Sequence, residues 1–452
     1  MKKENSRKSS ENENTNLTQI VGRVVKSEID NINTGLIIDI FDGTSIVQCH
    51  LPKRQEIQRG DIVSITMSRV NQENTVHYMK VLTKAEIQVP THDELCSLGR
   101  EFRLKHPEVD MILNNTIDTF KRRSKCISFM RNYLETQEFI EVDTPYLQSI
   151  PEIAPVADFI TQQPKNYEKM HLRITNTEYM RRLLSGGFTR VFQIGKCFRD
   201  EAISYKHHPE FTQLTFGIAG HTYEDLAKLI EDMIYQTVER TIGKRKVTFG
   251  ENELNMEPPW ARKTVREALI EYADIDVEMY PNDNDLAKKI RDIGVELKTE
   301  SQFSGFLARN ALIDKLVEEF VVPKLIQPTF LIEYPYCLGG PAKEIEKRPA
   351  YKQRGELFAG TIEIANFSTP QNDYCKLKKW YDETLIQKIE AGWNDQELDE
   401  DYLYAMRLGI PICTTGGLGI DRLLMLLLEK ANINDVILFP WKDPWRKKDE
   451  YN

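Results

Sequence analysis

Long hydrophobic runs are missing from this sequence. The longest, Leu423 to Leu428, falls far short of the roughly 18 residues that a bilayer-spanning helix needs. Residues 1–16 are polar and charged with no apolar core, so neither a membrane span nor a secretory signal is expected. Cysteine is sparse: seven scattered residues (Cys49, Cys96, Cys126, Cys197, Cys337, Cys375, Cys413), no Cys-x-x-Cys pair and no histidine at metal-ligand spacing. A disulfide framework and a structural zinc site are thereby excluded, and a reducing cytoplasm is the expected compartment. An excess of positive charge is missing too, with 60 Lys+Arg against 69 Asp+Glu and a net charge of −9. A uniformly basic nucleic-acid binder is excluded, and only a local basic patch stays open.

What is present is a chain of 452 residues, 40% hydrophobic and 29% charged, long enough for two or three domains with a large core. Residues 1–16 (MKKENSRKSSENENTN) hold too little apolar surface to offset the entropy of ordering, which predicts a mobile tail. Over residues 17–88 the β-rich runs IVGRVV, GLIIDIF, SIVQCHL, DIVSITM and HYMKVL alternate with Gly, Asn and Asp turns. That is the pattern of a small five-stranded barrel of the OB-fold type, although a generic β-domain shares it. A connector over 89–111 leads to a helical stretch from about Ile112 to Gln137, where Ile117, Phe120, Ile127, Met130 and Leu134 recur near helical spacing. The remainder of 112–452 reads as an α+β domain with a helical insertion at about 221–323. There Leu226, Leu229, Ile230, Met233 and Ile234 mark a core-facing stripe.

Three segments carry chemistry. In VFQIGKCFRDEAISYKHHPEFTQLTF (191–216) two alternating β-runs flank a polar loop bearing Arg199, Glu201, Lys206, His207 and His208, an antiparallel hairpin with a basic loop. The period of two places Phe211, Gln213, Thr215 and Gly217 on one face. A flat heteroaromatic group there would stack on Phe211 against a pocket wall at Thr215 and Gly217, while the planar fork of Arg199 holds a phosphate. Taken alone, this is equally a solvated surface hairpin. In GELFAGTIEIANFS (355–368), a two-residue turn at Ala359-Gly360 would set Glu356 directly opposite Glu363. Like charges so close suit an oxygen-loving divalent ion such as phosphate-bridged Mg²⁺, unless solvent relaxes an exposed pair. Last, TTGGLGIDRLLMLLLEK (414–430) reads as a Gly-rich turn entering an apolar helix. Close backbone approach at Gly419, the helix N-terminus and Arg422 would favour an anion, although a tight loop has the same composition.

Together these segments resemble the class II aminoacyl-tRNA synthetases of the aspartate, asparagine and lysine group, most closely the bacterial lysyl type, over about residues 18–445. FIEVDTPYLQ (139–148) is similar to motif 1, FRDEAISYKHHPEFT (198–212) to motif 2, and GGLGIDRLLML with NDVILFP (416–426, 434–440) to motif 3. PTFLIEYP (328–335) and DEDYLYAMRLGIP (399–411) resemble lysyl-type segments. The resemblance implies an antiparallel-sheet catalytic domain preceded by an anticodon-binding OB-fold, and a homodimer built through motif 1 around Pro145. It implies that ATP and an amino acid give an aminoacyl-adenylate, with tRNA as acceptor. It also implies roles for residues: Arg199 on the α-phosphate, Glu201 and His208 at ATP, His207 on the outer phosphates, Phe211 under adenine, Gly419 and Arg422 at the far side of the nucleotide, and Glu356 and Glu363 on Mg²⁺.

The departures from the family pattern cluster in the amino-acid pocket. Thr177, followed by Glu178, stands where the family has a Glu for the α-amino group. Thr215 and Gly217 replace a Glu and a Tyr, Asn366 to Thr369 lacks the Gly and final Glu of the family segment, and Glu152-Ile153 replaces Gly-Gly. Burying an unpaired ammonium costs several kcal/mol, so a di-cationic lysine does not suit this pocket. In the barrel, eight basic and eight acidic residues over 17–90 balance, and Ile37 occupies a position where the family stacks a base on Phe. That weakens or alters single-strand recognition unless Phe41 and Tyr78 compensate. The expected function is a lysyl-tRNA-synthetase-like ligase. The alternatives are a relative that adenylates another amino acid for transfer to a protein, carrier or small molecule, and a non-catalytic tRNA-binding regulator.

Overall fold

The computed structural model describes residues 17–29, 35–70, 73–113, 116–153, 156–163, 165, 168–297, 305–390 and 397–441. The tail expected over 1–16 lies outside them. The chain divides into two compact units, one ending at Asp118 and the other beginning at Thr119.

In the first unit, β1 (Thr18–Ile29), β2 (Leu36–Phe41), β3 (Ile46–Leu51), β4 (Ile62–Val70) and β5 (Glu73–Thr83) close into a barrel in the order β1-β2-β3-β5-β4. All pairings are antiparallel except β3 with β5. Alternation explains the inside: Leu36, Ile38 and Ile40 of β2 point inward to join Val24, Cys49, Val63 and Ile65. Ile37, Asp39 and Phe41 take the outward positions, and Tyr78 of β5 is exposed. Asp61 is fully buried and anchors the loop chains around it. Its carboxylate accepts from the backbone N–H of Gln58 (3.0 Å) and of Ala85 (2.9 Å) and from the Lys84 ammonium (3.1 Å). The stretch expected as a plain connector holds three short helices, α1 (His92–Ser97), α2 (Gly99–Lys105) and α3 (Pro107–Leu113). A capping box of Thr91 with Glu94 starts α1.

The second unit contains all but the first three residues of α4 (Thr116–Thr136), then β6 (Ile140–Glu141), β7 (Leu147–Gln148), β8 (Ile160–Gln162), β9 (Lys169–Leu172), α5 (Thr177–Ser185), β10 (Arg190–Phe198), β11 (Glu210–Ala219) and α6 (Tyr223–Thr237). It continues with β12 (Lys246–Phe249), β13 (Asn252–Asn255), β14 (Ala261–Thr264), α7 (Val265–Ala273), α8 (Asp283–Asp292), α9 (Gly305–Leu316), β15 (Thr329–Pro335), β16 (Glu344–Ile345), β17 (Arg348–Ala359) and β18 (Ile362–Ser368). The last elements are α10 (Tyr374–Glu390), α11 (Glu400–Arg407), β19 (Cys413–Gly419) and α12 (Ile420–Leu427). The helical stretch expected from about Ile112 to Gln137 is met by α4, with Ile112 itself in α3. The main sheet runs β14-β15-β17-β18-β19-β11-β10-β6, with β19 lying between β18 and β11.

The period of two decides which face of this sheet does what. Leu214, Phe216 and Ile218 of β11 face one large core with Met130 and Leu134 of α4, Leu226, Ile230 and Met233 of α6, and Leu423, Leu424 and Leu427 of α12. Each such side chain contributes about 1.5–3 kcal/mol when fully buried. Helices α7, α8 and α9 have a core of their own around Leu269, Leu286, Ile290 and Leu316. On the opposite face, α5 with α10 and α11 covers part of the sheet through Met180, Leu184, Leu377, Tyr402 and Met406. No helix among the described residues is long and apolar enough to cross a membrane.

Two local expectations are corrected. The hairpin of β17 and β18 turns at Gly360-Thr361 rather than Ala359-Gly360: both residues take positive φ (58° and 65°), the turn whose twist matches that of paired strands. Ile364 is then an extra, unpaired residue, so Glu356 pairs with Asn366 and Glu363 with Phe358 rather than with each other. The Gly-rich segment before Ile420 is a central strand, not a turn. Its glycines make room for neighbours: a Cβ on Gly417 would sit 2.1 Å from Gln213 Nε2, and one on Gly416 2.6 Å from Phe367 Cβ.

Candidate active site

The uncovered part of the sheet's second face holds a cavity of about 390 Å³. Phe211 and Gln213 of β11 form one wall, and Arg354, Glu356, Glu363 and Asn366 of the β17–β18 hairpin form another. The loop between β10 and β11 adds Arg199, Glu201, Lys206, His207 and His208, the β19–α12 junction adds Gly417, Gly419 and Arg422, and Thr177 enters from the start of α5. Segments far apart in sequence thus meet because β11, β19 and β18 are adjacent strands.

The cationic groups are individually held. Arg422 NH1 donates to the Glu363 backbone oxygen at 3.0 Å and to its carboxylate at 3.2 Å, and Nε donates to the Lys206 backbone oxygen at 3.2 Å. The guanidinium carbon of Arg199 lies 5.1 Å from the Phe211 ring centroid, within cation–π range. Burial, reinforced by Arg422 and Lys206, pushes His207 down to about 4, so it is neutral at working pH and contacts Ser204 Oγ at 2.8 Å. His208 has both ring nitrogens committed. Nδ1–H donates to the Glu210 carbonyl (2.6 Å) and Nε2 accepts from the Trp441 amide (2.7 Å), which makes it a brace of the wall. Asp421, almost fully buried, accepts from Arg123 of α4 and from the Thr212 amide, both at 2.6 Å.

The two hairpin carboxylates share the cavity although they are not opposed. Glu356 Oε1 accepts from Arg354 (2.6 Å) and Asn366 (2.8 Å), and Oε2 accepts one hydrogen bond, from the Tyr334 hydroxyl (2.6 Å). Burial pushes Glu356 up to about 7, Arg354 opposes that, and the charge of Glu363 adds to it. Such a pair is an oxygen-only donor set whose mutual repulsion a divalent cation relieves, which fits Mg²⁺. Among the described residues no group of three or more His, Cys, Asp or Glu side chains is arranged to hold a metal. The cation's remaining ligands would come from water and substrate oxygens.

Of the residues expected in an amino-acid pocket, Thr177 and Asn366 border the cavity and four do not. Thr215 is closed off beneath Gln213, whose Nε2 donates to Thr215 Oγ1 at 3.3 Å. Gly217 lies under α5, where a Cβ would meet Val191, Met180 and Leu184. Thr369 accepts from the Tyr223 amide at 2.9 Å. Glu178 points away toward α10, accepting from the Tyr381 hydroxyl at 2.6 Å, and burial together with Glu152 raises it well above the carboxylate range. Glu152 accepts from the Thr177 hydroxyl (2.7 Å) and the Glu178 amide (3.1 Å), capping the start of α5. The reading of the sequence missed Arg354, Tyr334 and Asn176. Arg354 was discoverable, because it sits two residues before Glu356 on the same strand face.

The family described as tRNA synthetases class II (D, K and N) matches residues 99–443. A lysine--tRNA ligase of Syntrophomonas wolfei is 36% identical over 345 residues, 76% of this chain and 69% of that protein. The lysine--tRNA ligase of Clostridium acetobutylicum is 30% identical over 426 residues, covering 91% and 82% of the two chains. That of Dehalococcoides mccartyi is 31% identical over 448 residues, covering 95% and 88%.

Proposed function

Since the chain belongs to the class II tRNA synthetases of the D, K and N group and is a ligase, we propose that its cavity joins ATP to the carboxylate of an amino acid and that the acyl group then passes to tRNA. The observation that carries this reading is the gathering of Arg199, His207, Phe211, Arg422 and the Glu356–Glu363 pair around one cavity. In the first half-reaction a carboxylate oxygen attacks the α-phosphorus in line, an O–P bond forms, and the bond to the departing pyrophosphate breaks. Such a step needs positioning and charge neutralisation more than proton transfer. Arg199 holds the α-phosphate and Arg422 the outer phosphates with fixed guanidinium forks. His207, neutral, donates a hydrogen bond, and Phe211 offers its ring to adenine. Glu356 and Glu363 would hold Mg²⁺, which would supply charge neutralisation for the triphosphate.

Pyrophosphate exchange with purified protein, ATP, Mg²⁺ and a panel of amino acids tests the reading. Arg199→Ala and Glu363→Gln are expected to lower exchange by about a hundredfold or more. Exchange near wild type in both would overturn the assignment of these residues. tRNA charging tests the second half-reaction. A different acyl acceptor is the second reading: the eight basic residues over 17–90 are balanced by eight acidic ones, so the barrel carries no net positive charge toward a polyanion. Exchange without charging would decide for that second reading. The surface of motif 1, with Pro145, Ile140 and Leu147 exposed, supports a homodimer built through it.

A further inference from the structure

The floor of the amino-acid end of the cavity is the side chain of Gln213, and its orientation follows from a buried chain of hydrogen bonds. The chain ends on the carboxylate of Asp143, which when ionised only accepts. Gln193 Nε2 must therefore donate to Asp143 Oδ1, at 2.8 Å. That leaves Gln193 Oε1 as the acceptor, and it receives Thr144 Oγ1–H (2.6 Å), Asn176 Nδ2–H (2.7 Å) and Arg173 NH1–H (3.3 Å). With its nitrogen committed, Asn176 offers Oδ1, which accepts from the Thr215 hydroxyl at 2.7 Å. Thr215, its proton spent, accepts from Gln213 Nε2 at 3.3 Å. Asn176, Gln193, Gln213 and Thr215 are all at least nine-tenths buried, so no solvent intervenes to reset the direction. Every link donates toward Asp143, and the free end of the chain is the carbonyl oxygen of Gln213, at the cavity wall that Gln213 lines.

We propose that the acyl substrate is an amino acid with a short, uncharged side chain that donates a hydrogen bond, a hydroxyl or carboxamide, received by Gln213 Oε1. The inference deepens the adenylation reading and rests on it for the placement of the carboxylate and α-ammonium. Gln213 also seals Thr215 from the cavity and α5 covers Gly217, so a long side chain has nowhere to extend along this strand. A neutral carbonyl offers no countercharge to a second ammonium, whose desolvation would go uncompensated. Thr177, whose proton is held by Glu152, keeps an oxygen lone pair for the α-ammonium.

Binding of non-reactive aminoacyl-sulfamoyl adenosines, measured by calorimetry on the full chain, reads the pocket without chemistry. The seryl, threonyl or asparaginyl analogue is expected to bind at least about tenfold more tightly than its alanyl, valyl or leucyl isostere and than the lysyl analogue. Gln213→Leu should erase the preference over the apolar isostere while leaving ATP affinity within about twofold, because the nucleotide contacts are elsewhere. Gln213→Met serves the same purpose if the first variant does not fold. Tightest binding of the lysyl analogue, or a preference unchanged by both substitutions, would overturn the proposal. Pyrophosphate exchange on the same panel separates the two levels. Exchange with lysine would keep the adenylation reading and sink this inference, whereas the expected ranking of analogues without any exchange would keep the pocket and sink adenylation.

Discussion

At the scale of the residue, Glu356 is where chemistry and stability meet. Its carboxyl rises from an ordinary 4.5 to about 7 because it is buried, with Glu363 beside it and Arg354 only partly offsetting. The folded chain thus holds that proton more tightly than the unfolded chain. The resulting stability is fullest below about pH 4.5 and is lost as pH rises toward 7. A cation between the carboxylates reverses the penalty. Mg²⁺ with ATP is therefore expected to raise the melting temperature more at pH 8 than at pH 6. Scanning fluorimetry of the wild type against Glu356→Gln checks this: the substitution should flatten the pH dependence, and an equal Mg²⁺ effect at both pH values would count against the metal assignment. The residue scale also shows what a sequence conceals. The two glutamates were legible as a pair, but the unpaired Ile364 that displaces their register was not, because nothing in an alternating apolar run marks which residue a bulge will leave over.

At the scale of the element, reading succeeded where one period dominated. The five barrel strands, the hairpin of β10 and β11 and the stripe of α6 all follow from alternation or helical spacing between clear turns. It failed where tertiary contact set the conformation. Thr414 to Gly419 has turn composition, yet it is a central strand because Phe367 and Gln213 occupy the space that side chains would take. Likewise Thr215 and Gly217 share a face with Phe211 as alternation requires, but no local signal announces that α5 lies over them. Two substitutions test the elements. Gly416→Ala, whose Cβ would fall 2.6 Å from Phe367 Cβ, should cost about 1–3 kcal/mol by overpacking the sheet. Asp61→Ala, which strips three donors of a buried partner, should cost at least about 2 kcal/mol and register in the barrel's unfolding by denaturant titration. A neutral result for either would contradict the packing described.

At the scale of the whole molecule, assembly is the open quantity that the surface addresses. Ile140, Tyr146 and Leu147 are exposed along the motif 1 segment, and Ile160 is exposed on β8, across β9 from β7 in the same small sheet; exposed apolar side chains on one such segment suit an interface. Light scattering is expected to give the mass of two chains, and Leu147→Asp paired with Ile140→Asp to shift it toward one. A wild-type monomer at micromolar concentration would remove the dimer from the reading.

The position of β19 has a consequence in time. The strand between β11 and β18 is also the last strand of the sheet in chain order, with Asp421, the partner of Arg123, just beyond it. During synthesis the sheet therefore waits in two halves, each showing an unpaired edge where its neighbour is still missing. A nascent chain that stalls before Cys413 carries most of the hydrophobic core but lacks Gly417, Gly419 and Arg422, the strand and helix start that join the two walls of the cavity, and its fate is set by whatever shields those two edges.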